Sequence, residues 1–142
     1  MALCFSQGVS LEEWRRKGLF DREVQIYNRV APEVASVQFH TFGSSDEVDD
    51  RAGLHPTISV HPNRLPLLKK ASRRWANPLP ALRASALRHV DIIKTNQVSA
   101  APLALWAKRR FGTKLITRCG YLWSDMARQA GTNSDDLDRI LS

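Results

Sequence analysis

Two short stretches hold residues able to do chemistry where an α/β fold keeps it. Asn96-Gln97 follows the apolar pair Ile92-Ile93, and Arg118-Cys119-Gly120-Tyr121 follows Leu115-Ile116. Carboxamide, guanidinium and phenol groups just past apolar strands can hold a polar ligand, because open parallel sheets bind ligands outside the carboxyl ends of their strands. Gly8 stands in the same relation to Leu3–Ser6. It serves turn geometry or a close approach of backbone to ligand, and the GxGxxG pattern of a dinucleotide fingerprint is absent around it. The histidines (His40, His55, His61, His89) have no carboxylate or cysteine at ligand spacing, so no metal site is expected. Asp136-Leu137-Asp138 matches the DxD of metal-dependent sugar transferases, but three residues match by chance and these lie beyond the last expected strand.

The elements that must position these residues follow from periodicity and punctuation. Residues 91–121 read as strand, turn, helix, strand, turn. Ser99 is the expected N-cap, Pro102 fits a first turn, and Gly112 fits the end. Leu103, Trp106 and Ala107 share a face that can pack on a sheet. Upstream, Leu3–Ser6 reads as the first strand. Ser10 with Glu13 forms a capping box for a helix over Leu11–Lys17. Gly18 breaks it, and a second helix runs from an N-cap at Asp21 to Arg29 with the stripe Leu19, Val24, Ile26, Tyr27 and Val30. Val34–Phe42 is a second strand, with Val37, Phe39 and Thr41 alternating against Gln38 and His40. One or two helical turns over Asp46–Ala52 end at Gly53, and Thr57–Val60 is a third strand. Residues 64–89 hold two helical pieces parted at Asn77-Pro78, and one more amphipathic helix follows Tyr121.

This order predicts an α/β fold: a single Rossmann-like, doubly wound parallel sheet of about five strands in the order 3-2-1-4-5. The reversal of winding falls between strands 1 and 4, so the turns at Gly8 and Asn96 should share one crevice.

The chain has 142 residues and a net charge of +7. Residues 64–118 hold thirteen Lys or Arg against one acid, Asp91, so the partner of this segment should be anionic. Lys69, Lys70, Arg73, Arg74 and Trp75, among leucines, form the pattern of a helix lying on an anionic membrane surface. Cys4 and Cys119 read as reduced, mostly buried thiols. The start lacks the basic n-region of a signal peptide, and no apolar run approaches the ~20 residues of a membrane span. A cytoplasmic protein is the expectation, with the basic helix either a solvated surface helix whose leucines pack on the sheet or a segment that makes the protein peripheral at the inner face of the membrane.

Ser6–Trp14, Gly18–Glu23 with Tyr27, Phe42-Gly43, Asp91–Gln97 and Thr117–Tyr121 together resemble the N-terminal domain of a family 4 retaining glycosyltransferase of the GT-B type. The resemblance covers most of residues 3–130. It implies a GT-B N-terminal domain over residues 1–131, with the acidic tail 132–142 where a donor domain would follow. In that family the N-terminal domain binds the acceptor and the C-terminal domain binds the nucleotide-sugar donor. The resemblance therefore implies an acceptor-binding half, inactive without a separate donor-binding domain or subunit, with no cofactor of its own. Its partner would be a sugar or lipid-linked acceptor. Gly8, Asn96, Gln97, Arg118, Gly120 and Tyr121 carry over as acceptor-side positions. Many members have a histidine at the fourth strand end, where this chain has Asn96 and Gln97, so no catalytic residue carries over. The competing expectation is a stand-alone Rossmann-like module binding a nucleotide or nucleic acid. Against it, the sequence has no P-loop, RNP pattern, zinc finger or helix-turn-helix spacing.

Overall fold

The computed structural model describes residues 1–6, 8–43, 51–62 and 86–119. Five strands, β1 (Ala2–Cys4), β2 (Val37–His40), β3 (Ile58–His61), β4 (Ile92–Thr95) and β5 (Lys114–Ile116), form one sheet in the order β3-β2-β1-β4-β5. Every pairing is parallel. The expected winding and strand order are therefore the observed ones. β1 has three residues, yet it occupies the centre because all three are buried.

Register divides the side chains between the two faces. Leu3, Phe39 and Val60 lie side by side, and with Phe5, Val37 and Ile58 they pack against α1 (Leu11–Arg16) and α2 (Phe20–Val30) through Leu11, Trp14, Phe20, Val24 and Tyr27. On the other face Ala2, Cys4 and Ile93 meet Leu87, Val90 and the buried side of α3 (Ala101–Phe111). This second face has two halves. Beneath α3 it is apolar, whereas over β2 and β3 the residues in register are Gln38, His40, Ser59 and His61. The His40 and His61 rings stack with centroids 4.9 Å apart, and His40 is buried rather than turned to solvent as simple alternation predicts. Gln38 Oε1 lies 3.2 Å from His40 Nε2, and Ser59 Oγ lies 3.0 Å from His61 Nε2. Burial without loss of hydrogen bonding is what lets a polar strand face persist inside a sheet.

Local punctuation is realised in part. Ser10 caps α1 by accepting the Glu13 N–H at 3.0 Å. The Glu13 carboxylate, however, turns to Arg16 and Lys17, so the observed contacts are those of a cap and i,i+3 and i,i+4 ion pairs. α1 ends in a Schellman motif: Gly18, at φ +65°, donates to the Arg15 carbonyl, and Leu19 donates to that of Trp14. α2 starts directly after this motif, so Leu19 takes the N-cap position without a side-chain cap, and Asp21 lies in the first turn, where its charge suits the helix dipole. The buried stripe of α2 is Phe20, Glu23, Val24 and Tyr27, and Ile26 is 54% exposed.

α2 thus begins before its expected cap residue, whereas α3 begins later than its own suggests. Ser99 lies inside a 3-10 turn (Val98–Ala100), and Pro102 opens the α-helix from Ala101. Ala104 and Ala107 make the close contact with the sheet. Leu103 and Trp106 pack around it, half-buried. Gly112 ends α3 in the left-handed conformation, as expected. Cys119 is exposed, because β5 lies at an edge of the described sheet and the chain leaves the core there. The expected helical turns at 46–52 fall largely outside the described residues. So do nearly all of the two pieces at 64–89, the helix after Tyr121 and the tail 132–142. Among the described residues, no helix is long and apolar enough to cross a membrane.

Candidate functional site

The β1–β4 pairing continues beyond the strands, with Asn96 N–H donating to the Cys4 carbonyl at 2.8 Å. The loops after β1 and β4 therefore leave the sheet side by side. The first is held by Val9 N–H on the Ser6 carbonyl and Phe42 N–H on the Val9 carbonyl, both at 3.0 Å. Gly8 supplies the turn with φ +77°, and a Cβ there would meet nothing within 4 Å. Its positive φ meets the need of the turn, and no described protein atom packs closely against it.

Between these loops lies a cavity of about 390 Å³. Ser6 and Val9 line it from the β1 loop, Glu13, Trp14 and Lys17 from α1, and Asn96 to Ser99 from the β4 loop, with Leu19 completing the wall. Ser6 and Asn96 are each only 7% exposed. Among the described residues, the Ser6 Oγ has no hydrogen-bond partner. An unpaired buried hydroxyl costs free energy unless something pairs with it, and this one belongs to a residue of the cavity wall. Trp14 is fixed from behind by Phe5, ring centroids 4.3 Å apart. At the rim, hydrogen bonds from Arg16 and then Lys17 hold the Glu13 carboxyl down at about 2, so it is a permanent anion paired with cations.

Of the expected acceptor-side positions, Asn96 and Gln97 line this cavity, and Gly8 shapes the loop beside it. Arg118 is engaged elsewhere. Its guanidinium donates to Glu23 Oε2 at 2.8 Å, and its backbone N–H donates to Thr95 Oγ1 at 3.1 Å. Gly120 and Tyr121 lie outside the described residues, as do Lys69, Lys70, Arg73, Arg74 and Trp75. Ser6 was not singled out from the sequence, although it is the first polar residue after a run of buried apolar ones, which is the signal that could have found it.

The sequence also gave no sign of the polar network around Arg118. Burial pushes the Glu23 carboxyl up, but the hydrogen bonds and charges of Arg118 and Arg22 outweigh this and leave it below the ordinary value. One turn along α2, the Tyr27 hydroxyl accepts from Lys94 Nζ at 2.6 Å. Burial raises the Tyr27 phenol to about 12, and burial followed by the nearby Arg118 lowers the Lys94 ammonium. The network clasps α2 to the ends of β4 and β5. Among the described residues no group of three His, Cys, Asp or Glu could hold a metal ion. The crevice itself offers a hydroxyl, a carboxamide and an apolar wall, an arrangement suited to holding a small polar molecule. Compared with protein-family models, curated proteins and solved structures, the chain gives no match.

Proposed function

We propose that this chain is the acceptor-binding half of a glycosyltransferase that takes sugar from a nucleotide-sugar donor. The observation that carries the proposal is that Ser6, whose hydroxyl is unpartnered among the described residues, and Asn96 line one crevice between the β1 and β4 loops. That crevice lies at the switch point of the winding, where folds of this kind bind ligands, and its two loops belong to the segments that resemble the acceptor-side domain. The donor phosphates need positive groups to stabilise them as they leave, and the described crevice presents only Lys17, already paired with Glu13. Acceptor binding without turnover is therefore expected. The test is to incubate the pure protein with a panel of sugar nucleotides and acceptor saccharides. The expected outcome is no nucleoside diphosphate release, with acceptor-induced NMR shifts at Asn96. Sustained release by this chain alone would refute the assignment of the donor site to another domain or subunit.

The same reading gives the basic segment a use, docking at an anionic leaflet near a lipid-linked acceptor. Each basic residue near such a surface contributes about 1 kcal/mol, screened within a Debye length. Co-sedimentation should occur with anionic vesicles only, weakened by salt and by changing Lys69, Lys70, Arg73 and Arg74 to Gln. Equal partitioning onto neutral vesicles, or none onto either, would remove the membrane from the proposal.

A further inference from the structure

We infer that the crevice takes a single uncharged, hydroxyl-bearing ring and discriminates against its phosphate ester. This rests on the acceptor-side reading above and narrows its substrate class. Three features carry it. The first is size: about 390 Å³ falls at the small end of the ~300–1,000 Å³ range of small-molecule clefts, so one ring is accommodated. The second is the wall. Val9, Trp14, Leu19 and Val98 give an apolar surface for the C–H face of a ring, and Ser6 and Asn96 add neutral polar residues to the same lining. The Ser6 Oγ is buried and unpartnered among the described residues, and a turn of its side chain into the cavity would let it exchange hydrogen bonds with a ligand hydroxyl.

The third feature is charge. Among the described residues, the ionised groups lining the cavity are Glu13 and Lys17, which pair with each other at 2.9 Å. Arg16, which also grips Glu13, does not line the cavity. A phosphate entering here would meet a carboxylate held permanently ionised, and would have to take Lys17 away from it. A neutral ring meets neither obstacle. α1, with six residues, is too short to offset this with a helix-terminal anion site.

The test uses the intact protein, unphosphorylated monosaccharides and their phosphate esters, with affinities read from NMR shifts at Asn96. The neutral sugar that binds best should bind about tenfold tighter than its ester, a difference equal to a shift of roughly one pKa unit. Ser6→Ala should weaken the neutral sugar about fivefold to tenfold, the loss of one hydrogen bond, while unfolding at no lower temperature than the parent. Glu13→Gln should narrow the gap between sugar and ester, because it removes the repelling charge and frees Lys17. Tighter binding of the ester, or unchanged affinity in Ser6→Ala, would overturn the inference while leaving the acceptor-half proposal standing. If no sugar of either kind moves Asn96, the inference falls and the proposal loses its crevice. The release experiment with sugar nucleotides still judges the donor-site assignment separately.

Discussion

Phe39→Ala is expected to lose about 3–5 kcal/mol of folding stability, the range for deleting a buried aromatic ring. Phe39 is fully buried at the centre of the α1/α2 face, with ring centroids 5.6 Å from Phe5 and 5.2 Å from Tyr27. The cavity left behind would border both neighbours. Phe5 supports Trp14, which lines the crevice, and Tyr27 receives the Lys94 ammonium. A ring deletion in the middle of the sheet should therefore loosen the crevice wall and the α2 clasp together. Urea unfolding at constant slope gives the measurement, as a fall in midpoint. A loss below about 1 kcal/mol would show that the site collapses around the gap and that the ring stack is not rigid.

Glu23→Ala is expected to lose about 1–3 kcal/mol. It leaves Arg118, Arg22 and Lys94 without their shared anion on a half-buried surface. The figure is kept below the 3–5 kcal/mol of a fully buried pair because the Arg118 side chain is 42% exposed and its charge is partly screened. Linkage gives the pH dependence a sign. The folded Glu23 carboxyl titrates below its unfolded value of about 4.3. Its stabilisation is thus fully present above that unfolded value and disappears as pH falls through the depressed folded one. Lys94 is also lowered, which for a base means that stability rises with pH between its folded value and an unfolded value of about 10.4. Denaturant curves of the parent and of Glu23→Gln across acid pH should converge as the parental carboxyl protonates. A stability gap that stays constant to the lowest accessible pH would show that the contact does not depend on an ionised Glu23.

The strand order was legible in the sequence because β1 and β4 carry short apolar runs followed by polar residues, β2 and β3 alternate, and glycine marks the ends of α1 and α3. Asn96 and Gln97 were legible for the same reason: they follow directly on β4, whose apolar pair is Ile92-Ile93. The miscounts have physical causes. Asp21 and Ser99 are good cap residues, but the Schellman turn at Gly18 and the 3-10 turn at Val98–Ala100 shift where their helices begin. Arg118, expected as a ligand-binding cation at a strand end, is also ion-paired within the protein. Its partner, Glu23, is 95 residues away, and a contact at that distance leaves no local pattern. His40 broke the alternation because its neighbour in register across the sheet, His61, gives its ring a stacking partner inside the protein.

The central position of β1 has a kinetic consequence. β2 pairs with it after about 35 residues of chain, but β4, its other neighbour, follows only about 90 residues later. β1, β2 and β3 with α1 and α2 can assemble from nearby chain, leaving one edge of β1 open until β4 arrives. Closing that long loop must precede any gain from the contact, so docking of β4 should govern the folding rate. The crevice is made of the loops after β1 and β4, and it comes into being only in that last step. A partly folded chain would therefore carry a native-like α1/α2 face, a bare sheet edge open to wrong pairing, and no binding site.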